Sequence, residues 1–117
     1  MGRGWRLTVR QGSQVERESF TSAEEALAAL RRSAIKVLAK GPVREIDSLR
    51  TFSPAQQVAA RLEISAPSRI RLREAGMDVK GDGRLVPYTG AIRKEPIDLT
   101  AGQDPYEALR EALRSLS

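Results

Sequence analysis

The fold is decided by the stretch from Trp5 to Pro42, which reads WRLTVRQGSQVERESFTSAEEALAALRRSAIKVLAKGP. Its first apolar side chains stand two positions apart, at Trp5, Leu7 and Val9. This period is typical of a strand that buries one face. A glycine-containing loop over residues 11–13 predicts that the chain turns back with Val9 opposite Val15. The stretch therefore begins as a β-hairpin.

The second half of the stretch predicts a helix over about residues 22–40. Ser22 and Glu25 have the spacing of a capping box, and a Gly-Pro pair at 41–42 ends the helix. Its apolar residues recur at intervals of three and four, at Leu27, Leu30, Ala34 and Leu38. One apolar stripe of this kind indicates a helix that packs on a sheet.

A second helix is predicted over about residues 104–116. Asp104 is a suitable cap, Pro105 suits the first helical position, and Glu107 has the position of a capping-box partner. The apolar residues of this segment again form one stripe, at Leu109, Ala112, Leu113 and Leu116. Both helices therefore have one face to bury.

The middle of the chain is predicted to be mainly extended. Residues 43–52 contain enough β-compatible residues for a strand, and residues 57–65 alternate apolar and polar positions. We interpret 54–64 as a turn and a strand, while the helix start in residues 53–56 leaves a short helix open as the alternative. Residues 68–76 alternate again, with arginine at 69, 71 and 73, and a brief helix ended by Gly76 stays open as the alternative.

Gly81 and Gly83, on either side of Asp82, predict a turn between strands at 77–80 and 84–88. A calcium loop starting at Asp78 would place Lys80 and Thr89 at ligand positions, and neither residue suits a cation. We therefore predict no metal site and no cofactor.

These elements predict one α+β domain over residues 1–117, built as an antiparallel sheet of about five to seven strands with both helices on one face. Pro96 within residues 91–99 suits a strand at the edge of the sheet. Among the aromatic residues, Trp5 is predicted to be buried and Tyr88 to be exposed.

Composition excludes several kinds of chemistry. The 117 residues contain neither histidine nor cysteine, so Ser-His catalysis and thiol chemistry are excluded. A histidine-free enzyme would need a desolvated carboxylate in a deep pocket, and the sequence indicates neither, so we predict no catalytic residues and no enzyme. No run of about 18 apolar residues occurs. The sequence accordingly predicts no signal peptide, no membrane contact and a cytoplasmic protein.

The formal net charge is +5, and arginine is the main source of positive charge. Arg69, Arg71 and Arg73 would lie about 6.6 Å apart along a strand, close to the spacing of phosphates in a nucleic-acid strand. Arg6 and Arg10 have the same spacing on the first strand. These five arginines are the candidate nucleic-acid-binding residues. The alternative is a solvated face neutralised by acidic residues on neighbouring strands, namely Glu16, Glu18, Glu63 and Asp78.

The leading functional prediction is a small non-catalytic binding or assembly protein. It would bind a protein partner or a second copy of itself, for example through an exposed strand edge. The alternative is a nucleic-acid-binding protein that uses the arginine-rich face of its sheet. The sequence indicates no small-molecule site.

Overall fold

The computed structural model describes residues 4–40, 57–67, 73–91 and 93–116. In chain order the elements are β1 (Trp5–Gln11), β2 (Gln14–Phe20), α1 (Ala23–Ala39), β3 (Val58–Ser65), β4 (Glu74–Lys80), β5 (Leu85–Thr89), β6 (Glu95–Pro96) and α2 (Pro105–Arg114). The strands form one antiparallel sheet of six strands in the order β2-β1-β3-β4-β5-β6. The predicted α+β fold is confirmed.

Both helices pack on the same side of this sheet. Helix α1 contacts mainly β1 and β3, α2 contacts β4 and β5, and the two helices contact each other. The core between the layers contains fully buried side chains from both helices and from the central strands, including Leu30, Leu62, Ile64, Met77 and Leu109. Trp5 is also buried there, as predicted. Below, the side of the sheet opposite the helices is called the open face.

The helix ends follow their sequence signals closely. Ser22 Oγ accepts a hydrogen bond from the Glu25 backbone N–H at 3.2 Å, which confirms the first cap. Asp104 also caps α2, but its side chain accepts from the Tyr106 N–H at 2.9 Å. The predicted capping box of α2 is wrong, because the Glu107 side chain pairs with Arg110 instead.

The buried stripe of α1 differs from the prediction at one position. Leu27, Leu30 and Ala34 are buried, but the stripe continues through Val37, whereas Leu38 is 37% exposed. Consecutive residues of a helix point about 100° apart, so Val37 and Leu38 point in different directions, and Val37 is the one that packs against the core.

The β1–β2 hairpin has a register one residue away from the predicted one. Gln11 pairs with Gln14, so the turn contains two residues, Gly12 and Ser13. Gly12 has a φ of 60°, as the first position of a type II′ turn requires. Val15 therefore lies opposite Arg10 instead of Val9. A shift of one residue moves every β2 side chain to the other face, and Val15 points to the open face.

The middle strand is confirmed where the structure describes it. Residues 58–65 form β3 rather than a helix, with Ala60, Leu62 and Ile64 in the core. Val58 is exposed, because a bulge between Val58 and Ala60 changes the pairing with β4. The predicted strand at 43–52, the helix start at 53–56 and the residues 68–72 lie outside the described residues.

The remaining turn and edge also agree with the sequence. Gly83 has a φ of 91°, and its N–H donates to the Lys80 carbonyl at 2.9 Å, so the chain turns between β4 and β5 as predicted. The short strand β6 contains Pro96 and lies at the edge of the sheet. Neither α1 nor α2 has the length and apolar character that a membrane-spanning helix requires.

Candidate nucleic-acid interface

Four arginines lie on three neighbouring strands of the open face: Arg17 on β2, Arg6 and Arg10 on β1, and Arg61 on β3. Arg17 lies opposite Thr8, which places it between Arg6 and Arg10. Arg10 lies opposite Arg61. Side chains on directly opposite residues of antiparallel strands point to the same side, so these guanidinium groups share one surface.

Carboxylates on the same face form ion pairs with some of these cations. Arg10 Nε lies 2.7 Å from Glu63 Oε1. Arg61 makes a bidentate contact with Asp78, with its Nε 2.7 Å from Oδ1 and its Nη2 3.0 Å from Oδ2. Both pairs join neighbouring strands. These pairs agree with the alternative prediction that Glu63 and Asp78 neutralise arginines of this face. Glu16 and Glu18 do not contribute, because they point to the other side of the sheet.

In each ion pair of the open face the carboxylate lies deeper than the cation. The side-chain exposures are 46% for Arg10 and 10% for Glu63, and 35% for Arg61 and 13% for Asp78. The Lys94 Nζ lies 3.7 Å from Glu74 Oε2, with exposures of 25% and 5%. A partner approaching this face therefore meets cations first and carboxylates beneath them.

Glu63 and Glu74 are diagonal neighbours across β3 and β4, since Glu63 lies opposite Gly76 and Glu74 opposite Ser65. Burial raises the pKa of Glu74, the nearby Glu63 carboxyl raises it further, and Lys94 opposes the shift. These two glutamates are the desolvated carboxylates that the sequence did not indicate. We refer to them as the acid pair.

Tyr88 is almost fully buried, so its predicted exposure is wrong. Its ring lies against Gly76 on the neighbouring strand, where a Cβ would lie 2.6 Å from the Tyr88 hydroxyl oxygen. The hydroxyl donates to Glu74 Oε2 at 3.4 Å. Arg61 and Lys94 each lie 5.7 Å from the ring centroid, a cation–π distance. Burial and the nearby carboxylates raise the pKa of Tyr88, so the hydroxyl keeps its proton.

The structure brings together only some of the predicted arginines. Arg6 and Arg10 lie on the open face. The guanidinium group of Arg73 donates to the Leu116 carbonyl at 2.9 Å, just beyond the C-terminal end of α2, where positive charge is favourable. Arg69 and Arg71 lie outside the described residues and stay predictions.

Sequence reasoning did not identify Arg17 and Arg61 as part of this surface. Arg61 alternates with Ala60 and Leu62, so the predicted strand already contained the signal that it points outward. Arg17 was hidden by the one-residue error in hairpin register. Within the described ranges, no carboxylate lies within ion-pair distance of Arg6 or Arg17, and both side chains are exposed.

A second polar surface lies on the opposite side of the molecule. A cavity of about 220 Å³ separates the C-terminal half of α1 from the hairpin, and its lining includes Lys36, Lys40 and Ser33. Lys40 Nζ donates to Gln11 Oε1 at 3.4 Å. These lysines lie towards the helix C-terminus, where the helix dipole already favours positive charge. Structural stabilisation therefore accounts for their position.

Comparisons of the chain with protein-family models, with curated proteins and with solved structures found no match. The charges, the burial and the geometry of the open face are therefore the basis on which a function is proposed.

Proposed function

We propose that this protein is a small non-catalytic binding protein whose open face binds nucleic acid. The proposal also places the protein in the cytoplasm, where cell fractionation would detect it. Phosphate groups are ligands that arginine binds well, through paired N–H donors of its planar guanidinium group. The net charge of the whole protein is +5, which favours its association with a polyanion.

One observation supports the proposal above all others: the layered arrangement of charge on the open face. Carboxylates hold Arg10 and Arg61 in place from below, so these side chains have lost part of their conformational freedom before any ligand binds. Ordering a long side chain is otherwise a cost of about 0.5–1.5 kcal/mol on binding. Arg6 and Arg17 stand beside them without a carboxylate partner among the described residues.

Self-association through a strand edge is less favoured by the charges of β2. Two β2 strands related by a twofold axis perpendicular to the sheet would oppose residues of the same face. In each of the central registers, one charged residue lies opposite the same residue of the second copy. This residue is Glu16, Arg17 or Glu18. Like charges in directly opposite positions are destabilising. This edge strand therefore has the charged character that limits edge-to-edge pairing.

The test compares two double variants in a binding titration with a labelled mixed-sequence oligonucleotide. Arg6→Ala/Arg17→Ala removes two exposed charges of the open face and leaves both of its arginine–carboxylate ion pairs intact. We expect weaker binding at every salt concentration. Each lost phosphate contact should lower the steepness of the salt dependence by about 0.7–0.9, so two lost contacts lower it by about 1.4–1.8.

Arg32→Ala/Lys36→Ala is the matched control, because it also removes two exposed charges, but from α1. Both variants lower the formal net charge by two, from +5 to +3. Equal losses of affinity in the two variants would mean that net charge alone determines binding. Unchanged affinity in the open-face variant would contradict the proposal.

A further inference from the structure

The acid pair lies within the proposed binding surface and shares its cations. Glu63 contacts Arg10, and Glu74 contacts Lys94 and the Tyr88 hydroxyl. The charged and titratable groups around the pair come from every neighbouring strand and from the loop before β6: Arg10, Arg61, Asp78, Tyr88 and Lys94. The protonation state of the pair therefore changes the charge of the open face at its centre.

Two ionised carboxylates cannot hydrogen-bond to each other, since both are acceptors only. Glu63 and Glu74 are diagonal neighbours on adjacent strands, a separation that long side chains can bridge, so their carboxyl groups can share one proton. With this proton, the pair carries one negative charge, and with the proton lost it carries two. Two like charges at a largely buried position are unfavourable unless nearby cations approach them.

We propose that the acid pair makes nucleic-acid binding by the open face dependent on pH, with tighter binding when the pair holds its proton. This inference rests on the proposed function of the same face. The protonated pair carries one negative charge fewer, so the cations that lie above it, Arg10 and Lys94, attract a phosphate more strongly. Loss of the proton adds a negative charge beneath these cations, which weakens that attraction and repels the ligand.

Linkage makes the effect reciprocal. If protonation strengthens nucleic-acid binding by some factor, binding strengthens proton uptake by the same factor. A complex formed near the pH at which the pair titrates should therefore take up protons from a weakly buffered solution. The phosphodiester groups of DNA stay ionised between about pH 5 and pH 8.5, so the protein is the source of any pH dependence that matches the acid pair.

The experiment measures the dissociation constant of the whole chain for a labelled mixed-sequence oligonucleotide between about pH 5 and pH 8.5, at constant ionic strength. We expect the affinity to fall roughly fivefold or more as pH rises. A factor of about five is at the low end of the changes in affinity that one site typically causes at another. Glu74→Gln keeps a hydrogen-bonding group that cannot ionise. This variant should bind tightly and without pH dependence, and circular dichroism verifies that it is folded.

Asp78→Asn is the matched control, because it removes a carboxylate of the same face that pairs with Arg61 and lies outside the acid pair. It should retain the pH dependence of the wild-type protein. Binding that does not vary with pH in the wild-type protein would overturn this inference and leave the proposed function standing. Absence of binding at every pH would overturn both. Equal pH dependence in the wild-type protein and Glu74→Gln would assign the effect to other groups and overturn the inference.

Discussion

The two faces of the sheet are made by alternate residues of the same strands, yet they bury their side chains in different ways. On the covered face, Leu62 and Met77 are buried by the helices, and removal of apolar surface from water provides the stabilisation. On the open face, Glu74 and Tyr88 are buried to a similar degree by their polar neighbours. Burial on this side depends on ion pairs and hydrogen bonds between the buried polar groups and their neighbours.

This difference teaches that burial has different consequences on the two sides. An apolar residue of the core has no group that titrates, and its loss leaves a cavity. A buried carboxyl is sensitive to its protonation state and to every cation near it. The covered face therefore carries most of the stability, whereas the open face carries the features that a ligand or a change in pH can alter.

The largest expected effect is on the covered face. Leu62→Ala removes a fully buried side chain at the centre of the core. We expect it to lower the free energy of unfolding by about 2–5 kcal/mol, because the structure around the lost atoms relaxes only in part. Chemical denaturation measures this change. A loss below about 1 kcal/mol would mean that α1 does not pack tightly over β3.

An intermediate effect is expected from Glu74 on the open face, and it depends on pH. Burial and Glu63 raise the pKa of Glu74 in the folded protein above the ordinary value of 4.5. Between the unfolded and folded pKa values the folded protein holds a proton that the unfolded chain has lost. The free energy of unfolding therefore falls as pH rises through this window.

Glu74→Gln should flatten that fall, since the amide does not ionise. Denaturation at a series of pH values from about 4 to 8 compares the variant with the wild-type protein. Asp78→Asn is again the suitable control, because Asp78 pairs with Arg61 and lies outside the acid pair. The sign derived for Glu74 would be contradicted if the free energy of unfolding rose with pH through this window, and to the same extent, in the wild-type protein and in both variants.

The smallest effect tests the hairpin register, which decides the face on which Val15 lies. Val15 is 40% exposed on the open face, whereas Val9 packs against the core. Val15→Ala should change stability by no more than about 0.5 kcal/mol, as expected for an exposed position. Val9→Ala should be clearly more destabilising. Equal losses at the two valines would indicate the other register, with Val15 on the covered face.

Sequence patterns predicted most of the covered face and little of the open one. The helix caps at Ser22 and Asp104 act within one turn, so local residues suffice to identify them. The hairpin register depended on whether the turn has two or three residues, and Gly12 fits both lengths until strand pairing is known. The error displaced Arg17 from the predicted surface.

The acid pair and the burial of Tyr88 were beyond sequence reasoning for a different reason. Glu63, Glu74 and Tyr88 stand on three different strands and are ordinary surface residues in their own segments. They meet only because β4 lies between β3 and β5 and has Gly76 where a larger side chain would exclude the tyrosine ring.

The identity and order of the described elements follow from the chain alone, because hydrophobic period, caps and turn glycines act over a few neighbouring residues. Tertiary structure alone decided which polar side chains share the open face, how deeply they are buried and which cations neutralise them. Charge interactions depend on distance through space and on access to water, and strand pairing sets both only after the sheet has formed.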